Sequence, residues 1–432
     1  MKRLSTVNEW LNTINAIHGS EIDLGLDRVK EIAKKLDLLS QSCPLIIVGG
    51  TNGKGSTVYG LASIYRAANF RVGMFTSPML ISPLEQIKIN GCNVTESQLC
   101  EAFNTIEIIR SHITLTPFEF FTLAALWIFK QNNLDVIILE VGLGGRLDAV
   151  NILDADLAII TSIDIDHVNY LGPTRDTIAY EKAGIFRSQK PAICGDFNPP
   201  PSLFSEAEKK QTELMCQGQA FHFEEQETSW SFWCRDSQYD DLPLNTLLIQ
   251  NMATVLMAVT LMQTNLPVNR KAIDKGLLTI SLPGRIQIVP GSVTQIYDVS
   301  HNPAAVKLLA KKIKNLSDGK THAVFSMLAD KDIIESIHQI KAAIHHWYVA
   351  PLLDVKRAAS FLMLKEAFLS AHVQAVTFFS SIEEAYLSAH QKAKEGDNIV
   401  IFGSFHTVSS VMTYVPNSRF LNEGYEKILS YY

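Results

Sequence analysis

The sequence predicts an α/β fold. We expect an N-terminal P-loop-type parallel sheet with helices on both faces plus a small antiparallel insertion, and a smaller C-terminal Rossmann-like α/β domain. Three observations predict it. Short apolar runs alternate with helix-period stretches, the pattern of a parallel sheet buried on both sides. A glycine loop, Gly49-Gly50-Thr51-Asn52-Gly53-Lys54-Gly55-Ser56-Thr57, follows the first of those runs. After the turn Leu282-Pro283-Gly284-Arg285 the alternation starts again.

In chain order, Val29, Ile32, Ala33 and Leu36 recur at helical spacing before the first strand. Strand candidates then fall at 45–48, 72–76, 136–140, 157–161 and 192–194, with helices at 57–68, 97–110 and 118–131. Residues 198–245 open on Pro199-Pro200-Pro201 and continue in short alternating runs such as Phe221-His222-Phe223, which reads as the antiparallel insertion. Residues 251–263 form a buried helix. The second series has strand candidates at 295–298, 322–326, 347–350, 376–379 and 399–402, and carries no nucleotide fingerprint of its own. The expected domains are 1–285 and 286–432.

Composition narrows the function. The chain is 432 residues long with 47% hydrophobic and 19% charged residues, as in an ordinary globular protein. A net charge of −6 argues against a nucleic-acid partner held by general electrostatics. The N-terminus turns polar too soon for a signal peptide, and no apolar run is long enough for a bilayer, so no membrane association is expected. Cys43, Cys92, Cys100, Cys194, Cys216 and Cys234 are scattered without metal-ligand spacing, as expected of reduced thiols in a cytoplasmic protein.

The glycine loop carries the first chemistry. Glycines let backbone N–H groups approach phosphate oxygens, and the following helix offers its N-terminal dipole. Lys54 would reach the β- and γ-phosphates, and Ser56 or Thr57 would orient Mg²⁺. The loop departs from the common G-x-x-x-x-G-K-[ST] pattern, because Val48 stands where the first glycine belongs and Gly55 separates Lys54 from Ser56. The plain alternative is a strand-to-helix turn with no ligand.

Further on, the strand at 136–140 ends on Glu140, a carboxylate that needs a partner when buried. Mg²⁺, which takes one or two carboxylates with phosphate oxygens, is the natural one; a lysine partner or a helix cap is the alternative. Gly142-Leu143-Gly144 resembles a dinucleotide fingerprint superficially, but Leu147 occupies the third glycine position. His167 follows another strand and reads equally as a metal ligand or a structural histidine. Lys182 and Arg187 flank Gly184, which by charge alone is a helix C-terminus with complementary cations.

Taken together, Gly50-Thr51-Asn52-Gly53-Lys54-Gly55-Ser56, Thr76-Ser77-Pro78, Phe118-Glu119, Glu140-Val141-Gly142-Leu143-Gly144-Gly145-Arg146-Leu147-Asp148-Ala149, Asp166-His167, Glu181-Lys182-Ala183-Gly184-Ile185, Pro283-Gly284-Arg285 and Asp298-Val299-Ser300-His301-Asn302-Pro303 resemble the folylpolyglutamate synthase/dihydrofolate synthase family of the Mur ligase superfamily. The matches run in order from about residue 20 to residue 408. The resemblance implies an ATP-dependent acid–amine ligase. ATP phosphorylates a carboxylate, and the amino group of L-glutamate displaces the phosphate to form an amide. It implies dihydropteroate and reduced folates as acceptors, two Mg²⁺ sites, a monovalent cation, and a monomer whose two domains close over ATP.

Residue by residue, the resemblance assigns Thr51, Asn52, Gly53, Lys54, Gly55 and Ser56 to ATP. Asn251 is placed near the adenine, and Arg285, Asp298 and His301 are assigned as nucleotide contacts supplied around the hinge and by the second domain. Ser77, Glu140 and His167 would be metal ligands. Lys182 would be carbamylated (N6-carboxylysine) and support a metal ion, which reverses the sign of its charge. Thr116, Pro117, Phe118 and Glu119, with Leu147, Asp148 and Ala149, would form the pterin pocket, covered by the loop containing Asp23, Leu24 and Gly25. Gly403-Ser404-Phe405-His406 matches a further family motif. Met79 and Gln86 stand where the family commonly has histidine and arginine, which bears on folate-chain preference, and Pro117 bears on the shape of the pterin pocket. Four other readings remain: a monofunctional folylpolyglutamate synthase, a peptidoglycan-type ligase, a non-catalytic P-loop nucleotide-binding module and an interaction scaffold. The loop at Asp23 favours the bifunctional enzyme, while the missing third domain argues against the peptidoglycan type.

Overall fold

The apolar run that precedes the glycine loop forms β1 (Leu45–Gly49), buried at every residue. In a computed structural model, which describes residues 4–20, 22–314 and 319–414, β1 lies inside an eight-stranded sheet. The other strands are β2 (Val72–Phe75), β3 (Ile87–Ile89), β4 (Cys92–Asn93), β5 (Val136–Glu140), β6 (Leu157–Ile160), β7 (Pro191–Cys194) and β8 (Glu213–Cys216). Their order is β4-β3-β2-β5-β1-β6-β7-β8. From β2 to β8 the neighbours pair in parallel, while β3 and β4 add an antiparallel edge. The chain divides into two compact units, Met1–Ser281 and Leu282–Tyr432.

Strand register positions the chemistry. Val48 pairs with Glu140 on one side and with Ile159 on the other, and Gly49 pairs with Ile160. The carboxyl ends of β5, β1 and β6 therefore reach one level, where ligands of such sheets bind. Helices Lys54–Ala67, Glu96–Arg110 and Pro117–Lys130 match the predicted ones to within a few residues. Pro117 occupies the first helical turn, where its missing N–H costs nothing, and Thr116 and Glu119 form a capping box around it.

One expectation changes. Residues 198–245 are not wholly an antiparallel insertion: Pro201–Lys210 is a helix and β8 extends the parallel sheet beside β7. Only β9 (Phe221–Glu225), β10 (Ser229–Cys234) and β11 (Gln238–Pro243) form the three-stranded antiparallel sheet. The triple proline, read as an entry to strands, instead starts a helix with Pro201 in its first turn. The β3–β4 hairpin was not predicted, although Asn90-Gly91 between short apolar runs is a hairpin signal and both residues have positive φ (50° and 83°).

In the second unit, β12 (Gln287–Val289), β13 (Thr294–Asp298), β14 (Thr321–Phe325), β15 (His346–Val349), β16 (Val376–Phe378) and β17 (Asn398–Phe402) form a sheet of order β12-β13-β17-β14-β15-β16, parallel except for β12. Phe325, Trp347, Phe368 and Phe402 pack ring on ring in its core. Among the described residues no helix is long and apolar enough to cross a membrane.

Candidate active site

The loop after β1 is held from behind by the segment after β6. Thr51 N–H donates to Ser162 O at 2.7 Å, and Asn52 N–H donates to Ser162 Oγ at 3.0 Å. Thr161 Oγ1 donates to Asn52 O at 2.7 Å, and Thr51 Oγ1 accepts from Asp164 N–H at 3.0 Å. Sequence reasoning missed Thr161, Ser162 and Asp164 because small polar residues after a strand carry no signal of their partner. Gly50 has φ +141°, and a Cβ there would lie 1.9 Å from Thr161 Oγ1. Gly53 has φ +90° as the residue before the helix, and its Cβ would lie 2.6 Å from Asn251 Oδ1. Asn251 therefore lies against the glycine loop itself. Lys54 Nζ curls back to Gly50 O (3.2 Å) and Thr51 O (3.3 Å). Thr57 is fully buried and Ser56 nearly so (5% exposed).

Beside this loop, Glu140 is buried (4% exposed) and its Oε2 accepts from Ser77 N–H at 3.3 Å. Two of the three predicted metal residues thus meet. His167 sits on a left-handed turn (φ 52°) with its N–H on Asp166 Oδ1 at 2.8 Å and its Nε2 3.9 Å from Asp166 Oδ2. Met79 and Gln86 lie on the segment after Ser77, which Glu85 organises by accepting from the N–H groups of Leu80, Ile81 and Ser82.

Lys182 is in the last turn of the helix Arg175–Ala183 but is no exposed helix-end cation. It is 3% exposed, and burial, reinforced by the charge of Lys54, pushes its amine down to about 7 while Asp166 and Asp148 oppose the shift. The charge reading fails because the helix end is served by Lys210, whose Nζ donates to Ala183 O at 3.1 Å and to Gly184 O at 3.2 Å. Arg146 ties residues 142–148 to the same helix, through Glu181 Oε1 at 2.9 Å and through its own N–H on Glu181 O at 2.8 Å.

The predicted pterin residues fall into three groups, at 116–119, 147–149 and 23–25. Phe118 lies against Gly142, where a Cβ would approach the ring to 2.8 Å, and 5.7 Å from the ring of Phe75. Asp148 is buried and caps the 3-10 turn Ala149–Ile152, accepting from Val150 N–H (3.1 Å) and Leu143 N–H (2.8 Å). Burial pushes its carboxyl up to about 6 against those hydrogen bonds. Leu147 is half-buried beside it and Ala149 is buried. Thr116 and Glu119 bond each other, and Asp23 pairs with Arg28 at 2.6 Å, a partner that sequence reasoning missed. Leu24 and Gly25 are half-buried in the same loop.

Arg285, Asp298 and His301 belong to the second unit, where they gather at the carboxyl end of β13. Asp298 accepts from Ile286 N–H at 2.8 Å and Ser300 N–H at 2.9 Å. The Arg285 guanidinium lies 5.0 Å over the Phe405 ring, and the His301 ring centroid is 6.2 Å from it. Cation–π contact of this kind orients a guanidinium without consuming its donors.

The donor set suits a hard cation. A buried carboxylate at the end of β5 beside Ser77 is the kind of oxygen donor that Mg²⁺ takes when it keeps waters and phosphate oxygens, and His167 stands apart from that pair with Asp166. Among the described residues no three His, Cys, Asp or Glu side chains form a preformed cage, which a cation entering with polyphosphate does not require.

Comparison with known proteins identifies relatives of the whole chain. The Mur ligase middle domain matches residues 48–229, and the Mur ligase glutamate ligase domain matches residues 284–405. A dihydrofolate synthase/folylpolyglutamate synthase of Escherichia coli is 41% identical over 416 residues, covering 96% of this chain and 97% of that protein. The solved structure of E. coli FolC in complex with DHPP and ADP superposes with a TM-score of 0.92 at 40% identity, covering 97% of this chain and 100% of that one. A bifunctional folylpolyglutamate synthase/dihydrofolate synthase with Mn, AMPPNP and L-glutamate bound gives a TM-score of 0.90 at 40% identity, covering 96% and 99%.

Proposed function

This chain belongs to the dihydrofolate synthase/folylpolyglutamate synthase family of Mur ligases, and from that premise we propose how its own residues perform the ligation. It is an ATP-dependent ligase that forms an amide between L-glutamate and dihydropteroate and adds further glutamates to reduced folates. A carboxylate is a poor electrophile. Its oxygen attacks the γ-phosphorus of ATP, ADP departs, and the resulting acyl phosphate has a leaving group. The glutamate nitrogen then attacks the carbonyl carbon, inorganic phosphate leaves with the former carboxylate oxygen, and the nitrogen loses a proton.

The observation that carries the residue assignment is the register of β1 and β5, which sets Glu140 level with Val48 at the root of the glycine loop. In our reading the N–H groups of residues 51–56 cradle the polyphosphate. Lys54 leaves its two carbonyl partners to neutralise charge on the transferring phosphoryl group. Asn251 buttresses the loop from the adenine side. A divalent metal accompanies ATP in this reaction, as the Mn and AMPPNP complex of the relative indicates. We assign it as Mg²⁺ at two sites, which Ser77, Glu140 and His167 would help to hold, with a monovalent cation as an accessory. When bound, the metal supplies Lewis-acid stabilisation of phosphoryl charge.

Lys182, whose buried amine titrates near 7, has a substantial neutral fraction at neutral pH, and a neutral amine is the form that adds carbon dioxide. The product is a carbamate anion, which matches the N6-carboxylysine assignment and supports a metal ion. Phe118, Asp148, Leu147 and Ala149 would face the pterin, with residues 23–25 as cover and Thr116, Pro117 and Glu119 shaping the wall. Residues 286–432 would act as the glutamate ligase domain and residues 1–285 as the ATP domain, with Arg285, Asp298 and His301 contributing nucleotide contacts. We assign the enzyme to the cytoplasm as a monomer. The test is phosphate release that requires dihydropteroate and glutamate together and that Glu140→Gln lowers by roughly 10²–10³; unaltered turnover in that variant removes Glu140 from the site.

A further inference from the structure

Two segments assigned to the pteroate pocket, residues 22–26 and the start of the helix Pro117–Lys130, are joined by one guanidinium. Arg28, the second residue of the helix Asp27–Lys35, donates from Nη1 to Asp23 Oδ2 at 2.6 Å. Its Nη2 donates to Asp23 O at 2.8 Å and to Glu119 Oε1 at 3.2 Å, across 91 positions of sequence. The Glu119 side chain is 5% exposed, and its other oxygen accepts from Thr116 N–H at 2.7 Å. Asp23 Oδ2 also lies 3.1 Å from His18 Nε2, whose Nδ1 lies 3.1 Å from Thr114 Oγ1. A polar chain thus runs Thr114, His18, Asp23, Arg28, Glu119, Thr116 and fastens the loop at both ends to the approach of one helix.

Both Glu119 oxygens are engaged by protein groups, so Glu119 is built as a strut. A buried carboxylate of this kind is strongly destabilised when its cation is removed, unlike an exposed surface pair. The planar fork of arginine fixes direction as well as charge, because one plane must satisfy a carboxylate, a carbonyl and a second carboxylate. At the loop's exit Leu26 packs against the main core but makes no side-chain cap to the helix, so the polar fastening there is that of Arg28.

We propose that Arg28 is a positioning residue for the pteroate substrate, locking residues 22–26 against the helix Pro117–Lys130 in the place where they cover the pterin. Glu119 anchors that lock and does not touch the ligand. This inference rests on the pteroate-ligase reading above. The test is steady-state ligation by Arg28→Gln and Arg28→Lys, varying dihydropteroate and ATP separately. The KM for dihydropteroate rises roughly tenfold or more in R28Q and less in R28K, while the KM for ATP stays within about twofold and kcat falls less than KM rises. Adding Asp23→Asn to R28Q raises the pteroate KM by less than the product of the two single effects, since the Arg28–Asp23 side-chain bond is already lost in R28Q. An unchanged pteroate KM in R28Q, or an equal rise in the ATP KM, overturns the proposal. Should R28Q fail to fold, Asp23→Asn alone carries the test with the same split. Wild-type enzyme releasing no phosphate with dihydropteroate and glutamate would instead overturn the reaction itself.

Discussion

Lys182 is buried at a cost that the proposed carbamylation would explain, and replacing it separates stability from activity. Burial lowers its amine from 10.5 to about 7, which at 1.36 kcal/mol per unit is roughly 5 kcal/mol against the charged form. The sign follows from proton counting. Between pH 7 and 10.5 the unfolded lysine binds more protons than the folded one, so wild-type stability rises with pH across that window. Below about 7 both forms are protonated and the cost is constant at its maximum. Lys182→Met keeps an unbranched side chain and abolishes this dependence. We expect K182M to be more stable than wild type at about pH 6, with the gap narrowing by about 2–3 kcal/mol at about pH 9. Ligation falls by roughly two orders of magnitude or more. Denaturant unfolding of both proteins in carbon dioxide-free buffer at the two pH values, with ligation assayed in parallel, measures this. A gap that does not change with pH, or a K182M enzyme that still ligates normally, refutes the reasoning.

Gly53→Ala places a Cβ 2.6 Å from the buried Asn251 amide at φ +90°. The left-handed conformation alone costs about 1–2 kcal/mol, so ADP affinity should weaken roughly tenfold by titration, with the pteroate KM little changed. Unchanged ADP affinity would mean that the loop relaxes without touching the nucleotide. For Glu140→Gln, kcat should fall by roughly 10²–10³ while the protein retains its thermal midpoint, read by steady-state assay and unfolding scan.

The main sheet was legible because β1, β5, β6 and β7 are short, apolar and bounded by polar turns, as strands buried on both faces must be. Residues placed at or just after the end of a strand, such as Glu140 and Lys54, were located with it. The β3–β4 hairpin was lost because three- and two-residue strands carry almost no periodicity. The helix Pro201–Lys210 was lost because three prolines dominated the reading of its start. Contacts made by small or distant polar groups were not readable at all. Thr161 and Ser162 clamp the glycine loop across more than a hundred positions, and Arg28 reaches Glu119 across 91. Lys182 shows the same limit in energetic form: its charge pattern suggested a helix-end cation, and only burial reveals an amine held close to neutrality.

The central claim is that ATP activates the substrate carboxylate, and the oxygen atoms report it directly. Dihydropteroate carrying ¹⁸O in its carboxylate is ligated to L-glutamate by the wild-type enzyme, and the released phosphate is analysed by mass spectrometry. An acyl phosphate requires that one labelled oxygen leave with each phosphate. Unlabelled phosphate accompanying labelled amide product would contradict the account.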